Sequence, residues 1–199
     1  MGLRERKVQR TRERIAEVAL DLFERQGYEA TTMEQIAAAA DVAPTTLYRY
    51  YPTKDRTLVE GMIPRFGEVA AGVLARPPEE PIEVALGAAL MARLEHADAE
   101  AEQLLRLRAC IDEVPAARAR VLDAWFRETA DLERAIAQRC GTSADQIWVQ
   151  LSARDCMTVL QLALDAMRTR TGVGAVDHAR AVLRAMEDPP TVHPSLPSP

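Results

Sequence analysis

Aromatic residues are scarce in this chain, at 5% of its 199 residues, and four of the nine are tyrosines. Three of these, Tyr48, Tyr50 and Tyr51, fall within the short stretch DVAPTTLYRYYPTK, residues 41–54. A buried core segment favours leucine, isoleucine and valine, because a tyrosine hydroxyl needs a hydrogen-bond partner once it leaves water. The stretch therefore predicts a polar partner for its tyrosines.

Cysteine is also rare, with only Cys110, Cys140 and Cys156 at wide spacings. An odd number of dispersed cysteines fits neither a disulfide framework nor a zinc-ligand pattern, and it favours the reducing cytoplasm. The three histidines, His96, His178 and His193, are equally scattered. We therefore expect no metal site and no bound cofactor.

Long apolar runs are missing too. No segment approaches the 18 apolar residues of a membrane-spanning helix, so we expect no membrane partner. The chain also lacks the GxGxxG, phosphate-loop, GxSxG and HExxH motifs of common enzyme classes. An all-helical enzyme remains a remote alternative, and the sequence favours a protein that is not an enzyme.

Basic residues are outnumbered overall, because 25 lysines and arginines face 30 acidic residues for a net charge of -5. The distribution is uneven, since residues 1–14 hold six basic and two acidic side chains and form a basic arm of charge +4. Local charge decides attraction to phosphate more than the total does. A charge run of this kind is often only a solvated surface, so the arm alone is weak evidence for nucleic acid.

The remaining composition predicts an all-α protein, because alanine, leucine, glutamate and arginine dominate and alternating β-branched runs are missing. A first helix ends at Gly27, and its apolar face contains Ile15, Ala19, Leu22 and Phe23. Later helices are predicted at about 56–75, 81–97, 99–112, 115–139, 143–169 and 174–187. With two short helices between, the chain has about nine.

Two short helices joined by a tight turn occupy residues 31–51. Either Thr31 with Glu34 or Thr32 with Gln35 forms a capping box at the first helix. Pro44 suits the first turn of the second helix, which Pro52 ends, and Thr53 can cap the helix that follows. This is a helix-turn-helix arrangement. If Leu47 faces the core, then Thr45, Thr46, Tyr48 and Arg49 face outwards, and DNA is the polar partner that we infer for them.

Residues 10–60 resemble the N-terminal DNA-binding domain of the TetR family of bacterial transcriptional regulators. The most specific matches are GYEATTMEQIA and TLYRYYPTKDRTL, the latter similar to the family pattern TLYxYFxxKexLL. Two residues depart from the pattern, since Asp41 replaces the usual turn glycine and Ala43 the usual serine cap. Aspartate tolerates a left-handed conformation better than most residues, and Pro44 partly compensates for the lost cap.

The resemblance implies that the helix at 44–50 enters the major groove of DNA, and it implies nine contact residues. They are Thr32, Pro44, Thr45, Thr46, Tyr48, Arg49, Tyr50, Tyr51 and Lys54. Thr32 and Lys54 are expected at phosphates. Arg49 is expected either at a guanine or, equally, at a phosphate. One of Tyr50 and Tyr51 is expected inside the domain and the other at a phosphate.

The resemblance also implies a homodimer formed by the last two long helices. Apolar residues at helical spacing predict the interface stripes: Val149, Ala153, Cys156, Leu160, Ala163, Met167, Val176, Ala179, Leu183 and Met186. The alternative is that these stripes form a seam of the core within one chain. A dimer would read two half-sites of a palindromic operator.

A small-molecule effector is implied as well, in a pocket enclosed by helices between residues 81 and 169. The candidate lining residues are Met91, Leu94, Leu107, Cys110, Trp125, Phe126, Met157 and Gln161. For each of them the alternative is packing in the core. A regulator that responds to a protein, or to no effector, is a further alternative. The predicted domains are residues 1–55 for DNA binding, 56–188 for effector binding and dimerisation, and a disordered proline-rich tail at 189–199.

Overall fold

The computed structural model describes residues 2–60, 66–169 and 172–187. It is all-α in this part, and it has ten helices and no strand there. The helices are α1 (Leu3–Gln26), α2 (Met33–Ala39), α3 (Pro44–Tyr50), α4 (Lys54–Val59), α5 (Glu68–Ala75), α6 (Ile82–Ala99), α7 (Ala101–Glu113), α8 (Pro115–Cys140), α9 (Ile147–Thr169) and α10 (Ala175–Glu187). The predicted tail at 189–199 lies outside the described residues.

Two predicted helices have different bounds. The helix expected at 56–75 is two helices, because α4 ends at Val59 and α5 begins at Glu68, after a glycine at φ 102°. The helix expected from residue 143 begins at Ile147 instead. There the amide of Gln146 donates to the carbonyl of Ser143 at 3.3 Å, a turn that precedes the first helical residue.

The chain divides into two compact units, one formed by residues Met1–Gly67 and Glu102–Glu128, the other by Glu68–Ala101 and Thr129–Pro199. The predicted boundary after residue 55 does not coincide with this division. Ile111 of α7, Val114 between the two helices and Ala117 of α8 join the buried core of the N-terminal helices. That segment therefore belongs structurally with the first unit.

The first unit is built on the apolar face of α1. Ile15, Ala19 and Phe23 are buried there, and Leu22 packs against the same core. Gly27 ends α1 with a left-handed φ of 86°, as predicted, and its amide donates to the carbonyl of Phe23. α2 and α4 pack on α1, and α3 packs on α2.

The second unit contains α5, α6, the second half of α8, α9 and α10. α5 packs on α6, α9 packs on α10, and α6 contacts both α9 and α10. Arg139 closes one end of the unit, because its guanidinium donates to the carbonyls of Val73, Arg76, Pro77 and Glu80 around the α5–α6 connection. No described helix is long and apolar enough to cross a membrane.

Candidate nucleic-acid interface

The turn between α2 and α3 has a defined hydrogen-bond pattern. The amide of Val42 donates to the carbonyl of Ala37 at 3.0 Å, and the amide of Asp41 donates to that of Ala38 at 3.1 Å. These two bonds form a Schellman motif, which needs a left-handed residue just past the helix end. Asp41 supplies it with a φ of 51°, the conformation predicted for it. The turn thus has a fixed length and direction.

Side chains of α1 and α3 hold this turn in place. The guanidinium of Arg14 on α1 donates to the carbonyl of Ala40, at the end of α2. Pro44 occupies the first helical position of α3, after Ala43 in an extended conformation. Leu47 is fully buried, which confirms the prediction that it faces the core.

The outer face of α3 carries the residues that were expected to face DNA. Pro44, Thr45, Tyr48 and Arg49 are exposed, while Thr46 is half-buried. The guanidinium of Arg49 lies 5.1 Å from the centre of the Tyr50 ring. The helix therefore presents a hydroxyl, a phenol and a guanidinium to solvent, which are groups that contact base edges and phosphates.

Tyr50 and Tyr51 have different environments, which resolves the alternative left open by the sequence. Tyr51 is 2% exposed, and its hydroxyl donates to the carbonyl of Arg12 at 3.0 Å. Burial raises the pKa of Tyr51, so the phenol stays protonated as a donor. The prediction that Tyr51 contacts DNA is wrong for this reason, and Tyr50, which is half-buried beside Arg49, is the one available.

Thr32 is the N-cap of α2. Its hydroxyl accepts from the amide of Gln35 at 3.2 Å, and the Gln35 side chain accepts from the amide of Thr32 at 2.9 Å. The capping box is thus Thr32 with Gln35, while Thr31 is buried and donates to the carbonyl of Gly27. Thr32 remains exposed at the start of the helix.

Lys54 has a structural role that the sequence did not reveal. Its ammonium donates to the carbonyl of Tyr28 at 2.5 Å and to that of Thr31 at 2.9 Å, and it lies 4.1 Å from the centre of the Tyr28 ring. The ammonium is therefore bound by groups within the domain. The predicted phosphate contact of this side chain therefore disagrees with its position, because the charge is directed at the loop that precedes α2.

Glu34 is a residue of this face that the sequence reasoning missed. Its carboxylate accepts a hydrogen bond from the Tyr48 hydroxyl at 3.1 Å. This bond, with smaller contributions from burial and from the Glu34 charge, raises the pKa of Tyr48. Only the approach of α2 and α3 brings the two residues together, so no spacing within a single helix could have indicated it.

The predicted dimer stripe on α9 faces inwards. Five of its residues are buried within their own unit, namely Val149, Ala153, Cys156, Leu160 and Ala163. Ala179 on α10 is buried as well. The prediction that these six form the interface is wrong, because the stripe packs against α6 and α10 as a core seam. Met167 and Val176 are half-buried, and only Leu183 and Met186 are exposed.

A second apolar stripe does face solvent on α9. Trp148, Leu151 and Leu162 are exposed by 43%, 55% and 46%, although large apolar side chains are usually buried. They share a face at helical spacing, since steps of three and eleven residues return to the same side, and the exposed Asp155 and Thr158 lie on that face between Leu151 and Leu162. The same unit exposes Leu183 and Met186 on α10, which packs beside α9.

The predicted effector residues do not form one lining. Leu107 and Cys110 pack against the core of the first unit. Trp125 lies in that unit too, in edge contact with Phe66. In the second unit Leu94 and Met157 are buried, and Met91 is half-buried. Phe126 is 66% exposed and Gln161 is exposed, so the prediction that these two line an enclosed pocket is wrong.

The two short helices, their fixed turn and the polar outer face of α3 define a helix-turn-helix domain. Residues 15–60 match the family model described as "Bacterial regulatory proteins, tetR family". The transcriptional regulator TcmR of Streptomyces glaucescens is 33% identical over 153 residues, which cover 72% of this chain and 66% of TcmR. The chain belongs to the TetR family of bacterial transcriptional regulators.

Solved structures share the fold over almost the whole chain. NalD of Pseudomonas aeruginosa, a repressor of a multidrug efflux pump, matches with a TM-score of 0.60 and 19% identity, over 90% of this chain and 94% of NalD. FadR of Thermus thermophilus, a TetR-family repressor in complex with lauroyl-CoA, matches with a TM-score of 0.54 and 22% identity, over 94% and 98%. At these identities the likeness concerns the fold.

Proposed function

We propose that this DNA-binding regulator is a homodimer that reads a palindromic operator and represses transcription until a small, largely apolar effector releases it. The observation that carries the proposal is the outer face of α3, where Thr45, Tyr48 and Arg49 are exposed beside a turn fixed by the Schellman motif. A rigid support matters because a bidentate guanidinium contact to guanine contributes about 1–3 kcal/mol only when its geometry is maintained.

The dimer part of the proposal rests on the exposed stripe of α9 and α10. A two-fold dimer buries the same patch of both subunits, and apolar side chains at the centre of such a patch supply most of its stability. Trp148, Leu151, Leu162, Leu183 and Met186 meet this description. The two copies of α3, if about 34–36 Å apart, would then fit successive major grooves.

The effector part rests on the apolar interior of the second unit, around Leu94 and Met157. The fold is shared with a repressor that binds lauroyl-CoA, which supports an effector with a substantial apolar portion. A regulator without a small effector is the second candidate. A thermal-shift screen separates the two, because a ligand at a hundred times its Kd stabilises a protein by about 2.7 kcal/mol.

Selection of bound sequences from a random DNA pool tests the reading function. We expect a palindromic consensus for the wild-type protein and the loss of one base preference for Arg49→Ala. Arg25→Ala is the matched control, because it removes the same charge from the end of α1. A pool without enrichment at moderate salt would contradict operator reading.

A further inference from the structure

A groove of about 310 Å³ lies between the N-terminal half of α1 and α3. We call it the α1–α3 groove, and its lining includes Lys7, Val8 and Thr11 from α1, Val42 from the turn, and Thr46 and Arg49 from α3. Two of these side chains are cationic, and none of the residues that line it is acidic.

The chemistry of the groove fits an anion that also has an apolar part. Lys7 and Arg49 provide positive charge, while Val8 and Val42 provide apolar wall. The hydroxyl of Thr11 already donates to the carbonyl of Lys7 at 2.9 Å, so it can only accept. The hydroxyl of Thr46 can donate to an anion.

We propose that the α1–α3 groove holds one sugar–phosphate unit of the operator strand, next to the bases that α3 reads. A phosphate would be neutralised by Lys7, next to the base that Arg49 reads, and the deoxyribose would contact Val8 and Val42. The inference rests on the proposed DNA-reading function and extends it to α1.

The DNA backbone is favoured over a free anion for two reasons. Thr46 and Arg49 belong to the same short helix as the exposed Thr45 and Tyr48, so the groove is continuous with the reading face. An inorganic phosphate would use the cations but leave the apolar wall uncovered. A nucleotide within a strand uses both, and its neighbours in the strand fix its position.

Binding titrations over a range of salt concentrations test the groove with the selected operator and three full-length variants. Lys7→Gln removes one charge from the groove, and Val8→Trp fills it while keeping every charge. Arg25→Gln is the charge control, because it lies on the same helix about 27 Å away along the axis, at 1.5 Å per residue. Thermal unfolding of each variant establishes that it is folded.

For Lys7→Gln we expect weaker binding, a log–log salt slope reduced by about 0.9, and an unchanged base consensus. Val8→Trp should weaken binding as well, and Arg25→Gln should not. Phosphate ethylation interference adds a positional readout, since one phosphate in each half-site should matter for the wild type and cease to matter for Lys7→Gln. Excess inorganic phosphate, added at constant ionic strength, should not displace the operator from the wild-type protein.

Wild-type affinity and salt slope in both Lys7→Gln and Val8→Trp would overturn the inference while leaving operator reading intact. A loss in Lys7→Gln without a loss in folded Val8→Trp would also overturn it, because Lys7 would then act only as diffuse charge. Displacement of the operator from the wild-type protein by inorganic phosphate, but not from Lys7→Gln, would identify a free-anion site instead. If the wild-type protein selected no DNA, both this inference and the proposed function would fail.

Discussion

The carboxylate of Asp55, in the first turn of α4, forms an ion pair with the guanidinium of Arg120 on α8. Asp55 is 8% exposed, so its carboxylate is largely removed from water, while the Arg120 side chain is 40% exposed. Burial opposes the charged carboxylate, but hydrogen bonds from Arg120 and Thr53 outweigh it and lower the pKa of Asp55. The pair joins two helices of the first unit that are 65 residues apart in sequence.

The lowered pKa of Asp55 predicts how stability depends on pH. Because the folded pKa lies below the unfolded value near 3.8, the stabilisation is complete above that value and is lost as pH falls through the folded pKa. We expect Asp55→Asn to be less stable by about 2 kcal/mol at pH 7 and to lose less stability on acidification. Urea unfolding between pH 7 and pH 3 measures both effects, and parallel pH profiles for the two proteins would contradict the assignment.

Lys54→Met should destabilise the first unit rather than change its salt-dependent attraction to DNA. The substitution keeps the apolar stem but removes the ammonium from the carbonyls of Tyr28 and Thr31, at a cost of about 1–3 kcal/mol. Thermal unfolding measures this loss, with Arg56→Met as a charge-matched control on the same helix. A stable Lys54→Met protein whose salt slope fell by about 1 would instead restore the predicted phosphate contact.

The helix-turn-helix was predictable because its signals are local. The turn at Asp41, the proline at the start of α3 and the inward position of Leu47 depend on residues within a few positions of each other. The contacts of Lys54, of Tyr51 and of Glu34 were not predictable in this way. Each depends on a partner 14 to 39 residues away, which only the packing of α1, α2, α3 and α4 brings close.

The stripe on α9 shows a different limit. Its residues repeat at helical spacing on two faces, one containing Val149 and Ala153 and the other containing Trp148 and Leu151. Spacing predicts that a helix is buried on an apolar face. When a helix has two such faces, spacing does not tell which of them packs within its own chain. The small residues of the first face allow α6 and α10 to approach, and the bulky residues of the second remain exposed.

Leu151→Arg should weaken the proposed dimer. The substitution places a charge within the exposed stripe, one turn from Trp148, where it would be desolvated upon association. We expect a shift from dimer to monomer in light scattering at micromolar concentration, and weaker binding to the full palindrome. Leu74→Arg is the matched control, because Leu74 is an exposed leucine of the same unit, 45% exposed, on α5. An equal shift in both variants, or none in either, would contradict the assigned face.

Asp41→Gly should stabilise the turn before α3. Asp41 has a left-handed φ of 51°, which glycine adopts without the steric cost of a side chain. Its ion pair with Arg14, at 3.6 Å, involves a 96% exposed carboxylate and contributes little. We expect a gain of roughly 0.5–1 kcal/mol in urea unfolding. Asp41→Val should lose stability, since a β-branched residue is strained in this conformation.

Gly174→Ala should disrupt the start of α10. The carboxylate of Asp98 on α6 accepts hydrogen bonds from the amides of Ala175 and Val176, at 2.6 Å and 3.1 Å, and so caps α10. A Cβ at Gly174 would lie 2.8 Å from a carboxylate oxygen of Asp98, closer than the two atoms can approach. The cap would have to move, with a loss of about 1–2 kcal/mol, the usual contribution of an N-cap. Asp98→Ala should lose a similar amount, and the double variant should lose little more than either single one, because both remove the same interaction. Additive losses in thermal unfolding would show that Gly174 is needed for a reason other than room for Asp98.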